Sequence, residues 1–153
     1  VDGERACIAG GSYGGYSALI SVIRKPSRYR CAASLNGPMD LPFEYHFYFS
    51  WWDEAREYFE EYIGDPDDLD QLRENSPVYR AAEIRVPVLL VQGMEDRRVD
   101  VDHAYRMMNV LEALRSPHEV HLVSGMGHVP SPSQWIDFAV RLRKFLLEHL
   151  EPR

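Results

Sequence analysis

Apolar residues occur along the 153-residue chain in short runs, which alternate with longer stretches where they recur every three or four positions. The short runs predict strands and the longer stretches predict amphipathic helices. Strands are predicted at residues 5–9, 31–35, 87–92 and 119–123. The third, PVLLVQ, is almost wholly apolar, as expected for a strand covered on both faces. Strands alternating with helices indicate an α/β fold, a parallel β-sheet with helices on both faces.

Three helices follow from the apolar spacing. The first is predicted at residues 14–24, with Pro26 beyond its end and an apolar face of Tyr16, Leu19, Ile20 and Ile23. The second begins near Asp100 and Asp102, because acidic side chains suit the start of a helix, and its apolar face is Ala104, Met107, Met108, Leu111 and Leu114. The last begins at the capping box Ser131-Pro132-Ser133-Gln134 and carries Trp135, Ala139, Leu142, Leu146 and Leu150.

A segment of different character lies between the second and third strands. Residues 43–62 hold ten of the chain's eighteen Phe, Tyr and Trp residues. So many large apolar side chains on an irregular stretch need either a local core or a ligand to cover them. Both interpretations stay open, and the candidates for the wall of a substrate cleft are Phe43, Phe47, Phe49, Trp51 and Trp52.

Composition narrows the classes of function. The formal net charge is −7 and no stripe of Lys or Arg occurs, which argues against binding to nucleic acid or to a membrane surface. The apolar stretches are far shorter than the roughly 20 residues that span a bilayer. Cys7 and Cys31 each lie in a strand-like run, which favours two buried thiols and a reducing, cytoplasmic location, with a disulfide between neighbouring strands as the alternative.

The strongest chemical signal is Gly10-Gly11-Ser12-Tyr13-Gly14, a G-x-S-x-G sequence between a predicted strand and a predicted helix. This context is typical of a nucleophile elbow, a sharp turn that exposes the serine hydroxyl. Side chains in place of the flanking glycines would collide with the neighbouring strand and helix. The following helix directs its amino terminus towards the reacting centre, where it favours negative charge.

A serine nucleophile needs a base, and the base needs an acid that orients it. Asp96 follows the third strand in Gln92-Gly93-Met94-Glu95-Asp96, and His128 follows the fourth in Ser124-Gly125-Met126-Gly127-His128. The loops at the carboxyl ends of parallel strands meet at one edge of the sheet, so these residues can converge on Ser12. The order Ser, Asp, His is that of α/β-hydrolases. Glu95 is an alternative acid.

The remaining histidines lack such a setting. His103, His118, His121 and His149 fall in helix or strand patterns and are interpreted as surface or structural residues, while His46 belongs to the aromatic segment. The spacings H-x-x-x-H and H-E-x-x-H do not occur in the sequence, which argues against a metal hydrolase. Neither a metal nor another cofactor is expected.

The segments GGSYGGYSAL, SPVYRAAEIRVPVLLVQGMEDRRV and GMGH together resemble the prolyl oligopeptidase family of serine peptidases, which includes dipeptidyl and acylaminoacyl peptidases. The resemblance runs through nearly all of the chain. It implies Ser12 as nucleophile, Asp96 as acid and His128 as base. It also implies that Tyr13 supplies an oxyanion N–H and that Val99 lies near the primary specificity pocket.

The same resemblance implies that part of the catalytic domain is missing. Family members have further strands before the nucleophile, one of whose loops gives a second oxyanion donor, and a β-propeller before those strands. Residues 1–153 are therefore expected to be a partial α/β-hydrolase domain without them, and inactivity of the isolated chain would follow from that. The edge of the first strand and the face of Leu19, Ile20 and Ile23 are expected to be uncovered, which predicts a homodimer or association with the missing half.

The function expected from these features is a serine peptidase that cleaves short peptides through an acyl-enzyme. Two alternatives remain at this point. A carboxylesterase or lipase-like hydrolase would use the same triad, and a hydrolase-fold interaction module would keep the scaffold without turnover.

Overall fold

The computed structural model describes residues 5–49 and 60–150. Within these residues, four strands form one parallel sheet in the order β1 (Cys7–Gly11), β2 (Cys31–Leu35), β3 (Val88–Gly93) and β4 (His118–Val123). The predicted parallel sheet is confirmed. The second strand has the predicted bounds, whereas the first begins and ends two residues later than predicted. All the loops that follow these strands emerge at the carboxyl edge of the sheet.

The helices within the described ranges are α1 (Tyr13–Arg24), α2 (Leu41–Phe49), α3 (Leu69–Glu74), α4 (Asp102–Ala113) and α5 (Pro132–Leu150), with a 3₁₀ helix at Pro77–Glu83 before β3. The three predicted helices correspond to α1, α4 and α5. None of the helices in the part of the chain described here is both long and apolar enough to cross a membrane.

The start of the aromatic segment is helical, so the prediction of an irregular stretch is wrong for this part. Asp40 explains where α2 begins, because its carboxylate Oδ1 accepts the N–H of Phe43 at 3.1 Å and its carbonyl accepts the N–H of Glu44 at 2.9 Å. Pro42 in the first turn has no N–H to leave unpaired. Asp40 was not predicted as a capping residue, because the prediction for this segment rested on its aromatic density.

The core has two layers because side chains alternate along the central strands. Ala32, Val88 and Leu90 point to a layer shared with α1, the 3₁₀ helix and α4. Ala33, Leu89 and Val91 belong to the opposite layer, in which Phe138 and Phe145 of α5 pack. The sheet is thus covered by helices on both faces, as predicted, and every residue of β2 and β3 is buried.

The expected exposure of the α1 face is wrong. Leu19, Ile20 and Ile23 are at most 6% exposed, because they pack on the sheet and against the 3₁₀ helix and α4 within this chain. The β1 edge agrees better with expectation: β1 pairs with β2 alone among the described strands, and Cys7 and Ile8 are only half-buried.

The expectation of two free thiols is also wrong, since a disulfide joins Cys7 and Cys31. The parallel register places these residues directly opposite each other on β1 and β2, with Cα atoms 4.7 Å apart. That separation lies in the range that a disulfide bridges. The register could not be read from the two separate runs in the sequence.

Candidate active site

Ser12 lies at the turn between β1 and α1, with a backbone φ of 54°. This left-handed conformation is uncommon for a residue with a side chain and is typical of strained functional turns. The Ser12 N–H donates to the carbonyl of Leu35 on β2 at 2.8 Å, which fixes the turn against the sheet.

The glycines around the turn differ in their need to be glycine. A Cβ at Gly10 would collide with the backbone of Gly14, as predicted. Space is open around Gly14 itself, so the prediction of a collision there is wrong. The crowded position of the helix is Gly15, where a Cβ would collide with the Ser34 hydroxyl.

The loops after β1, β3 and β4 bring Ser12, Asp96 and His128 together. His128 Nε2 lies 2.9 Å from Ser12 Oγ, and His128 Nδ1 lies 2.8 Å from Asp96 Oδ2. The side chain of Asp96 is fully buried and that of His128 is 13% exposed. Glu95, the alternative acid, is exposed, whereas the oxygen on the imidazole belongs to Asp96.

The hydrogen bonds of Asp96 determine where the protons lie. Its Oδ1 accepts the backbone N–H groups of Arg98 at 2.8 Å and Val99 at 3.0 Å, and a carboxylate oxygen can only accept hydrogen bonds. The facing Nδ1 of His128 therefore carries a proton and donates it to Oδ2. In the neutral ring Nε2 is then unprotonated and accepts the Ser12 hydroxyl, the arrangement that general-base catalysis needs.

Tyr13, the predicted oxyanion donor, is the first residue of α1. The first N–H groups of a helix have no partner within the helix, so they are free to donate to a developing oxyanion. The Tyr13 side chain is 56% exposed, and its ring contacts that of Tyr16 with a centroid separation of 5.4 Å. Its role in stabilising an oxyanion stays a prediction.

The predicted substrate-binding residues differ in how exposed they are and in what they contact. Val99 is only 4% exposed, and its backbone supports the acid: its N–H donates to Asp96 and its carbonyl accepts from Gln92 Nε2 at 2.9 Å. Phe43 is half-buried. Its ring centroid lies 5.0 Å from that of His103 and 4.2 Å from Cζ of the Arg106 guanidinium.

Of the other aromatic candidates, Phe47 is half-buried and contacts Phe43, with ring centroids 6.4 Å apart. The Phe49 side chain and residues Trp51 and Trp52 lie outside the described residues.

A second histidine–carboxylate pair was not predicted from the sequence. His103 Nε2 lies 2.6 Å from Glu44 Oε2, and both side chains are buried. His103 Nδ1 accepts the N–H groups of Met39 and Asp40, so the ring is neutral and donates from Nε2 to Glu44. Burial raises the pKa of Glu44, and the hydrogen bond from His103 opposes that shift. Helical spacing contained the signal, because His103 precedes the buried Met107 and Leu111 by four and eight positions.

A possible set of metal ligands lies elsewhere. Ligand atoms of Glu119, Glu148 and His149 come within 4.8 Å of one another. Glu119 belongs to the beginning of β4, whereas His128 follows its end, so this cluster is at the opposite edge of the sheet from Ser12. Exposed groups of this kind are common on protein surfaces without a bound ion.

A serine on a strained strand-to-helix turn, hydrogen-bonded through a histidine to a buried aspartate on a parallel sheet, defines the α/β-hydrolase class. Comparison with known families then gives the membership. The profile of the prolyl oligopeptidase family matches residues 1–153, and the chain belongs to that family.

Individual relatives agree with this membership. Dipeptidyl aminopeptidase BIII of Pseudoxanthomonas mexicana is 30% identical over 128 residues, which are 82% of this chain and 19% of the relative. The Pyrococcus horikoshii acylaminoacyl peptidase structure is 25% identical with a TM-score of 0.86, over 100% of this chain and 25% of that one. An acylaminoacyl peptidase in complex with Z-Gly-Gly-Phe-chloromethyl ketone has the same identity, coverage and TM-score. The chain spans about a fifth of the length of the curated relatives it matches.

Proposed function

We propose that this chain is the part of a serine peptidase catalytic domain that carries the complete Ser12–His128–Asp96 triad. The observation that carries the proposal is the unbroken series of hydrogen bonds from Ser12 Oγ through the imidazole to the buried carboxylate. Family membership over the whole chain supports a peptidase rather than an unrelated hydrolase.

The reaction has two halves. Ser12 Oγ attacks the substrate carbonyl while His128 Nε2 accepts the hydroxyl proton, and Asp96 stabilises the resulting imidazolium. The N–H of Tyr13 donates to the oxyanion, and the leaving amine takes the proton from His128 as the acyl-enzyme forms. Water then loses a proton to His128 and attacks the ester, and the proton returns to Ser12 as the carboxylic acid leaves.

Short peptides are the proposed substrates, with release of a dipeptide or an acylated amino acid. The names of the relatives and the bound Z-Gly-Gly-Phe-chloromethyl ketone in one neighbour support this choice. We propose that the aromatic segment walls the cleft in part, with Phe43, Phe47, Phe49, Trp51 and Trp52 as candidates and Val99 near the specificity pocket.

Turnover by the full-length protein tests the substrate class. Short peptide anilides with a free or an acylated amino terminus should be hydrolysed with a higher kcat/KM than a long unfolded protein, and Ser12→Ala should abolish the activity. Hydrolysis of p-nitrophenyl esters without any peptide turnover would favour the carboxylesterase alternative. Absence of turnover for both would favour the interaction module.

A further proposal concerns the remainder of the domain. The β1 edge would be covered by the amino-terminal strands of a complete catalytic domain or, in the isolated chain, by a second copy. The half-buried Cys7 and Ile8 on a strand with one described neighbour support this, as exposed strand edges pair readily with other strands. Light scattering should find the isolated chain self-associated, and a stable, cooperatively unfolding monomer with a bare edge would contradict the proposal.

The cytoplasmic location proposed from the sequence rested on two free thiols. The disulfide between Cys7 and Cys31 removes that support, because disulfides are rare in reducing compartments. Counting the free thiols of the protein purified from its own cells under alkylating conditions decides the matter. Two free thiols would restore the cytoplasmic proposal.

A further inference from the structure

The carboxyl end of β2 contacts all three loops that carry the triad, through two consecutive residues. The carbonyl of Leu35 accepts the N–H of Ser12 at 2.8 Å. The next residue, Asn36, bonds to the other two loops. Its Oδ1 accepts the N–H of Gly93, the last residue of β3 before the Asp96 loop, at 2.8 Å. Its Nδ2 donates to the carbonyls of Gly127 at 3.2 Å and His128 at 3.0 Å.

The chemistry of these contacts suits an asparagine. One terminal atom must accept and the other must donate twice, which a carboxylate cannot do because it only accepts. Asn36 has a φ of 50°, and asparagine visits this left-handed region more readily than most residues. The residue is 1% exposed, so water cannot readily replace the lost partners if the amide is removed.

The Asp96 and His128 loops also bond to each other directly. The N–H of Glu95 donates to the carbonyl of Met126 at 3.0 Å, and the N–H of Met94 donates to the carbonyl of Val123. These bonds hold the two loops together but do not relate them to Ser12. Asn36 supplies that relation, because it attaches both loops to the end of β2. Leu35, the residue before Asn36, holds the Ser12 turn there.

We propose that Asn36 is a positioning residue that fixes His128 relative to Ser12 by anchoring the backbone of the histidine loop to β2. The inference rests on the proposed function. Asn36 does not touch the reacting atoms; it acts through the backbone of His128. A displacement of the base by about 1 Å can lower turnover about 100-fold, so loss of these bonds should reduce kcat without removing groups that bind substrate.

The test compares Asn36→Ala and Asn36→Asp with Asn75→Ala in the full-length protein. Asn75 is a matched control because its Nδ2 also donates to a backbone carbonyl, that of Gln71 at 3.0 Å. Gln71 lies in α3, and Asn75 is the first residue after that helix. For each variant, kcat and KM are measured on a short peptide, together with the rate of Ser12 labelling by a fluorophosphonate and the melting temperature.

Both Asn36 variants should lower kcat and the labelling rate about 10- to 100-fold, with a nearly constant KM, at temperatures where they remain folded. Asn75→Ala should leave kcat unchanged. An unaltered kcat in folded Asn36→Asp would overturn the inference, and so would a failure of both Asn36 variants to fold, since that would assign Asn36 to stability. Ser12→Ala separates the two levels: activity retained there refutes the proposed function, whereas activity lost there and kept in the Asn36 variants refutes this inference alone.

Discussion

Two histidines of this chain each contact a buried carboxylate, yet the two pairs are built for different purposes. The His128–Asp96 pair has an N···O distance of 2.8 Å and the His103–Glu44 pair one of 2.6 Å. They differ at the second ring nitrogen. In His128 it faces the Ser12 hydroxyl, and in His103 it accepts two backbone N–H groups. A histidine–carboxylate contact therefore says little about function until the other nitrogen is examined.

The carboxylates differ as well. Backbone N–H groups of Arg98 and Val99 donate to Asp96 and stabilise its charge. For Glu44, burial is the largest influence on the pKa and raises it. The pair at His128 is thus arranged to stabilise an imidazolium, whereas the pair at His103 joins α2 to α4 with a neutral ring.

The largest difference between the pairs should appear in turnover. His128→Ala in the full-length protein should lower kcat about a million-fold, because the base of a serine triad is lost. His103→Ala should leave kcat on short peptides close to that of the wild type. Steady-state kinetics with both variants checks this, and comparable losses of kcat would contradict the division between the pairs.

The second-largest difference in kcat should appear between variants of the two carboxylates, Asp96 and Glu44. Asp96→Asn keeps the shape of the side chain but no longer holds the imidazole in the required tautomer, so kcat should fall on the order of 10⁴-fold, as in a well-studied serine protease. Glu44→Gln should have little effect on kcat, since its amide oxygen still accepts from His103 Nε2. Measuring kcat for the two amide variants side by side sharpens the comparison. A large loss in Glu44→Gln would mean that the second pair also acts in catalysis.

Stability should show the opposite order. His103→Ala leaves Glu44 buried without its donor and should lower the free energy of unfolding by about 3 kcal/mol. His128→Ala also removes a donor from a buried carboxylate, but it should cost less, because Asp96 keeps the N–H groups of Arg98 and Val99. Denaturant unfolding of the full-length protein measures both values. The comparison would fail if His128→Ala proved the more destabilising variant.

The smallest predicted effect is a dependence on pH. The pKa of Glu44 is raised in the folded state, so its contribution to stability is fully present below the ordinary pKa of 4.5 and is lost as the pH rises through the folded-state pKa. The free energy of unfolding of the wild type, relative to Glu44→Gln, should therefore decrease from pH 4 towards neutral pH. Denaturant titrations across this range check the sign. A relative stability that increases with pH would show that Glu44 gains more from His103 than it loses by burial.

The sequence was most informative where local turn chemistry decides the structure. The G-x-S-x-G turn, the loops of Asp96 and His128 and the parallel sheet follow from short motifs and from the alternation of strands and helices, and the structure brings the three side chains together. Contacts that depend on strand register, or on packing between residues far apart in the sequence, could not be predicted. The Cys7–Cys31 bond depends on the β1–β2 register, and the Asn36 contacts join residues 57 to 92 positions apart.

The helix face of Leu19 and Ile20 shows the same limit. Periodicity correctly indicated that these residues seek burial, but it could not tell that the 3₁₀ helix and α4 of the same chain would cover them. The Glu44–His103 pair was missed because one partner lies in a segment judged by its aromatic residues alone.

The most direct test of the central claim is fluorophosphonate labelling of the full-length protein, followed by peptide mapping of the modified residue. Wild type and His103→Ala should be labelled at Ser12, while Ser12→Ala and His128→Ala should not be labelled at a comparable rate. Ser17→Ala, which removes a hydroxyl from α1, the helix that follows Ser12, should be labelled like the wild type. Labelling that persists in Ser12→Ala, or that depends on His103 rather than His128, would contradict the account.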